Sequence, residues 1–155
     1  MDNLTHQMPV ARAYGEIYAH DNVTPQDIPE GELVYTKIIP FTKNGLAKRC
    51  NNDYENGKIT VLIAGTYNIG FTASSKVDAN QVEFRTAVFR NDVELNNIHA
   101  KRLIKLATEE TTVHIEGFEY LEIGDVLDVR VRHNYAGVLE LVTEYCNLNI
   151  TRMDR

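Results

Sequence analysis

"AGTYNIGFTASS" (residues 64–75) alternates along its whole length. Tyr67, Ile69 and Phe71 fall on one side of an extended chain, and Asn68, Gly70 and Thr72 fall on the other. A period of two marks a half-buried β-strand. The apolar side is made for a core. The other side lacks large side chains and carries a glycine in mid-strand. Such a glycine weakens a strand by roughly 0.5–1 kcal/mol relative to alanine, and often marks a place where another backbone comes close.

Similar patterns recur on both sides of this stretch, parted by turn signals about every ten residues, the spacing of an all-β sandwich or barrel. "RAYGEIYA" (12–19) sets Ala13, Gly15 and Ile17 against Tyr14, Glu16 and Tyr18. "KITVLIA" (58–64) places Ile59, Val61 and Ile63 on one face. "VEFRTAVFR" (82–90) points Val82, Phe84, Thr86 and Val88 inward, and "VLDVRVRH" (126–133) does the same with Leu127, Val129 and Val131. "VLELVTEYCNLNITRM" (138–153) closes the chain with Cys146, Leu148 and Ile150 on one side. Segments 20–32, 74–81, 91–97 and 119–125 read as loops or turns. "IHAKRLIKLATEE" (98–110) admits a helix of about three turns. Strands on both sides of it favour a strand. The total is about eight to ten strands and no long helix. Parallel sheets need crossover helices, so the sheets are expected to be antiparallel, stacked as a two-sheet jelly roll. Residues 1–10 read as a polar arm, and 11–155 as a single jelly-roll domain.

The chain has 155 residues, 43% hydrophobic and 25% charged, an ordinary globular balance. A chain of this size buries roughly two thirds of its unfolded surface and needs no staple. The net charge of −6 argues against a nucleic-acid partner. No run approaches the roughly 20 apolar residues of a membrane span, so no membrane partner is expected. "MDNLTHQMPVAR" has no basic and apolar leader pattern, and production in a cytoplasm follows as an expectation. Cys50 and Cys146 are too few for a disulfide framework. One bridge between neighbouring strands stays open; two reduced thiols is the simpler expectation.

Motifs for chemistry are absent. The histidines His6, His20, His99, His114 and His133 lack zinc-type spacing. His114 reads as a surface or interface residue. The acidic loops lack the alternating calcium pattern. Carboxylate pairs such as Glu109 with Glu110 arise by chance among 22 acidic residues. No nucleophile elbow or phosphate loop occurs. The chain has no tryptophan, which lowers the expectation of sugar stacking, though tyrosine can substitute. No cofactor, metal or catalytic residue is expected.

Two motifs carry a resemblance. The first is "ITVLIAGTYNIGF", with Gly65, Tyr67, Ile69 and Phe71; the second is "FEYLEIGDVLDVRV", with Gly124, Asp125, Val126 and Val129. In order and spacing they resemble the jelly roll shared by tumour necrosis factors and complement-type globular heads, over residues 55 to 153. The closing strand "CNLNITRM" is similar as well. The resemblance implies a homotrimer. Collagen repeats, a signal peptide and a membrane stalk are missing from the sequence. "ARAYGEIYAHDN" is similar to the openings of phage virion proteins, several of which use this roll as trimeric decoration proteins. The function expected is therefore a homotrimeric capsid decoration (cement) protein on the virion surface, with the major capsid protein as partner. The alternative is a receptor- or carbohydrate-binding head. Tyr14, Tyr18, Asn68, Gly70, His114, Tyr145 and Asn147 lie opposite the core positions and are the candidate trimer seam. Leu4, Met8, Val10 and Arg12 are the candidate capsid contacts.

Overall fold

The apolar stripes of the sequence become the inner faces of two sheets in the computed structural model, which describes residues 11–154. The strands are β1 (Tyr14–Ala19), β2 (Gln26–Ile28), β3 (Thr36–Lys37), β4 (Lys43–Asn44), β5 (Cys50–Asp53) and β6 (Lys58–Val61). They continue as β7 (Gly65–Val77), β8 (Val82–Arg90), β9 (Val93–Ile104), β10 (Thr111–Leu121), β11 (Val126–His133) and β12 (Leu139–Arg152). Nine of them have four or more residues, within the expected number; the other three are short pieces in the long connections. The first sheet runs β10-β7-β12-β1-β4, with β2 on β12. The second runs β5-β6-β11-β8-β9, with β3 on β11. Every strand pairing is antiparallel. This is the two-sheet jelly-roll sandwich expected from the pattern.

The core lies between the sheets. Tyr67, Ile69 and Phe71 are fully buried from β7, facing Ile59, Val61, Leu127, Val129 and Val131 from the second sheet's inner side. The Tyr67 hydroxyl reaches out of this core to donate to the Ile63 carbonyl at 2.7 Å. Glycines close both sides of the sandwich. A Cβ on Gly15 of β1 would meet Asn52 Oδ1 at 2.7 Å and Cys50 Cβ at 3.1 Å on β5. A Cβ on Gly117 of β10 would meet Ile98 Cγ1 of β9 at 2.7 Å. Side chains at these two places would push the sheets apart. Gly117→Val is therefore expected to destabilise the fold by about 1–3 kcal/mol, as overpacking does. Chemical denaturation checks it, with a lower midpoint at unchanged slope as the expected result.

Several boundaries move outward from their expected places. β7 runs on to Val77, so residues 74–77 are strand and not loop, because Ser74 and Ser75 pair with both β10 and β12. β9 begins at Val93, leaving Asn91 and Asp92, both at positive φ, as the turn. β10 runs through Leu121, so the expected turn at 119–125 shrinks to four residues. Segment 98–110 is strand as far as Ile104. The long 20–32 connection contains β2, anchored by fully buried Ile28. Asp128 alternates outward as expected, yet it is buried beneath Arg130 (2.8 Å) and Lys37 (3.7 Å).

Cys50 and Cys146 are both free and buried. Burial pushes their thiols up, Cys50 to about 11 and Cys146 to about 12. The thiolate is the nucleophile, so both thiols are expected to resist iodoacetamide at mild alkaline pH. Mass spectrometry should find two modifications after denaturation and none before.

Candidate functional site

The outer face of the first sheet gathers the candidate residues into cross-strand rows. Strand register sets these rows. One reads Phe118–Asn68–Thr151–Tyr14 across β10, β7, β12 and β1. The next reads Glu116–Gly70–Asn149–Glu16, and the third His114–Thr72–Asn147–Tyr18. A fourth holds Thr112, Ser74 and Tyr145. All seven seam candidates, Tyr14, Tyr18, Asn68, Gly70, His114, Tyr145 and Asn147, thus stand on one face of one sheet. Direct opposition within antiparallel pairs brings such side chains to about 4.5–5.5 Å between Cβ atoms.

The middle of this face is polar. Asn68 Nδ2 donates to Glu116 Oε1 at 3.1 Å, and His114 lies 3.3 Å from Glu116 Oε2 and 2.7 Å from Thr72 Oγ1. The Asn68 and His114 bonds hold the Glu116 carboxyl below the usual glutamate range. Asn149 donates to Asn147 at 2.7 Å along β12.

Gly70 is the telling residue. Its φ is not left-handed. A Cβ placed on it would meet nothing nearer than Asn149 Oδ1 at 3.6 Å, an ordinary contact. Neither backbone nor packing within the chain calls for glycine here, unlike Gly15 and Gly117. Gly70 is buried between its neighbours' side chains, yet room for a methyl group is left unfilled, so the glycine costs strand stability that the fold of this chain does not require.

Large side chains flank that flat middle. Phe118 is 57% exposed and Tyr120 55% exposed on edge strand β10. Leu46, 78% exposed, borders a shallow recess with Tyr14, Asn149 and Thr151 on the β1 side. Sequence reading missed Tyr120 because 119–125 read as a turn, and it passed over Phe118 at the position just before that turn. Their two-residue alternation with His114 and Glu116 was the available signal. Tyr145 belongs to the far end of the face. It follows a β-bulge, and its hydroxyl donates to Asp21 at 2.6 Å, which raises its pKa to about 12. Of the arm candidates, Arg12 is exposed, with its carbonyl accepting from Arg49 at 3.2 Å; Leu4, Met8 and Val10 lie outside the described residues. Among the described residues no group of three or more His, Cys, Asp or Glu is placed to hold a metal ion.

Known proteins place the architecture. A structure of Eiger TNF from S. frugiperda superposes with a TM-score of 0.62 at 11% identity, covering 93% of this chain and 94% of that one. The fold is a tumour necrosis factor-like jelly roll. A crystal structure of murine APRIL at pH 5.0 matches the TNF-like roll with a TM-score of 0.61 at 12% identity, over 92% of this chain and 99% of that one. No protein-family model matches the sequence, and no curated protein does. The likeness is therefore one of fold at low sequence identity.

Proposed function

We propose that this chain assembles as a homotrimer through the outer β10-β7-β12-β1 face and works as a non-enzymatic virion structural protein that decorates and cements a phage capsid. The observation that carries the trimer is Gly70, a bare spot the chain's own fold does not require, framed by exposed aromatic residues at the sheet edge. A cyclic trimer uses a heterologous contact, in which the edge of one copy meets the face of the next. The Phe118 and Tyr120 edge of one copy seats against the flat middle and the Tyr14 and Leu46 recess of its neighbour. Covering that edge also removes an open strand and the exposed apolar groups upon it.

The particle role rests on the resemblance to phage decoration proteins together with the apolar residues of the arm. Trimers bridge neighbouring capsid subunits, and each of three arms adds avidity. Leu4, Met8, Val10 and Arg12 make the contact with the major capsid protein, at the outer capsid surface. Deleting residues 1–10 is expected to weaken attachment to purified particles by about tenfold or more, since three linked contacts are lost together. Co-sedimentation with particles measures this; undiminished attachment contradicts the role of the arm. A ligand-binding head is the second reading. It is favoured by an open depression beside Tyr18 and Tyr145, and it predicts binding by the chain away from any particle.

A further inference from the structure

The far end of the same sheet face holds an open depression of about 500 Å³, bounded by Tyr18, His20, Tyr145 and Asn147 with Glu16 and Ser74. Three separate features build its loop-side wall. The register of β12 against β7 shifts between Thr143 and Tyr145, a bulge that re-aims the Tyr145 side chain. Asn22 fastens the loop to this bulge, its backbone N–H donating to the Glu144 carbonyl at 3.1 Å and its amide to the Thr143 carbonyl at 2.9 Å. Asp21 sits at φ 54, a left-handed conformation rare for a residue other than glycine. From there it accepts the Tyr145 hydroxyl at 2.6 Å and pairs with His20 Nε2 at 3.1 Å. The His20 ring meets Tyr145 edge-on at 5.5 Å.

His20 and Asp21 are 71% and 65% exposed, so this network adds little to the core. Exposed ion pairs of this kind contribute little to stability. A strained residue, a bulge and a tethered ring converging at a surface depression are the signs of a site held in shape for a ligand.

The lining decides the chemistry. It holds no lysine or arginine; Lys43, the β4 partner of Tyr18, stands outside it. Glu16 makes the depression acidic, which disfavours anions. Tyrosine rings offer an apolar face with a polar tip. Ser74, Asn147 and Glu16 supply donors and acceptors on the floor. Apolar ring faces with alternating hydroxyls are the complement to this arrangement. We infer that the depression between Tyr18 and Tyr145 is a binding site for a neutral saccharide. The saccharide site rests on the ligand-binding reading, and because Tyr18, Tyr145 and Asn147 are also seam candidates it requires that a neighbouring copy cover the Phe118 end of the face and leave this end open.

Saturation-transfer difference NMR on the whole chain tests it, with neutral hexoses at about 10 mM, a range suited to millimolar binding. Sialic acid serves as the charged control, and sedimentation is measured in parallel. A saturable signal is expected for at least one neutral hexose, reduced about tenfold by Tyr145→Ala and kept by Tyr135→Ala, which is exposed elsewhere. Asp21→Ala, which keeps the ring but frees it, should weaken binding with the sedimentation of the parent chain. No saturable signal from any neutral hexose, signal from sialic acid alone, or a signal indifferent to Tyr145→Ala overturns the inference. Loss of trimer with hexose binding retained would sink the seam and leave this site standing.

Discussion

Gly70→Trp is expected to turn the proposed trimer into a monomer while leaving the sandwich folded. Gly70 points away from Tyr67, Ile69 and Phe71, and its surroundings accept a Cβ at ordinary contact distance. An indole there would cover the part of the face on which the proposed trimer seats the neighbouring edge. Protein–protein contacts of standard size need roughly 800 Å² per partner at close-packed density. A bulky ring at the centre of such a contact holds the surfaces apart over much of that area. Sedimentation velocity should show the smaller species across the micromolar range, with far-ultraviolet circular dichroism unchanged. A Gly70→Trp protein that sediments like the parent would mean the face is merely solvated.

The second large effect lies in the core. Phe71 is 1% exposed and stands between Ile115 of β10 and Leu148 of β12. A void of about 30 Å³ already adjoins it, lined by Ala73, Phe84, Ile104, Val131 and Leu141. Phe71→Ala enlarges that void in a region with little freedom to collapse. The expected loss is about 3–5 kcal/mol, the range for a buried phenylalanine. For a chain of this size that lowers Tm by roughly 10 °C. Calorimetry at fixed protein concentration checks it, since association itself shifts Tm. A fall of only a degree or two would mean that Phe71 is not packed as described.

The core was legible because its signal is local. Alternation in "GTYNIGF" and "VLDVRV" survives any tertiary detail, since a one-residue slip would turn every apolar group to water. The shared face of the seven seam candidates was legible for the same reason: it is the complement of the core positions. Strand ends were less so. Ser74 and Ser75 carry no strand propensity of their own and are extended because β10 and β12 flank them. Asp128 reads as an outward charge, yet it is covered by Arg130 and Lys37, a burial that depends on neighbouring strands.

Tyr120 was missed because "EYLEIGD" mixes strand and turn residues, and its first half is held in the sheet by pairing with Thr66 and Tyr67. The wall around Tyr145 was out of reach altogether. It joins residues 124 positions apart through a bulge that no local pattern announces. Gly70 was visible as an oddity from the start. The structure adds that the chain itself has room for a side chain there.

Sedimentation equilibrium of the unmodified chain at micromolar concentration tests the central claim most directly. A homotrimer gives a single species of three times the 17.6 kDa chain mass, the expected result. A species at 17.6 kDa across that concentration range would contradict it.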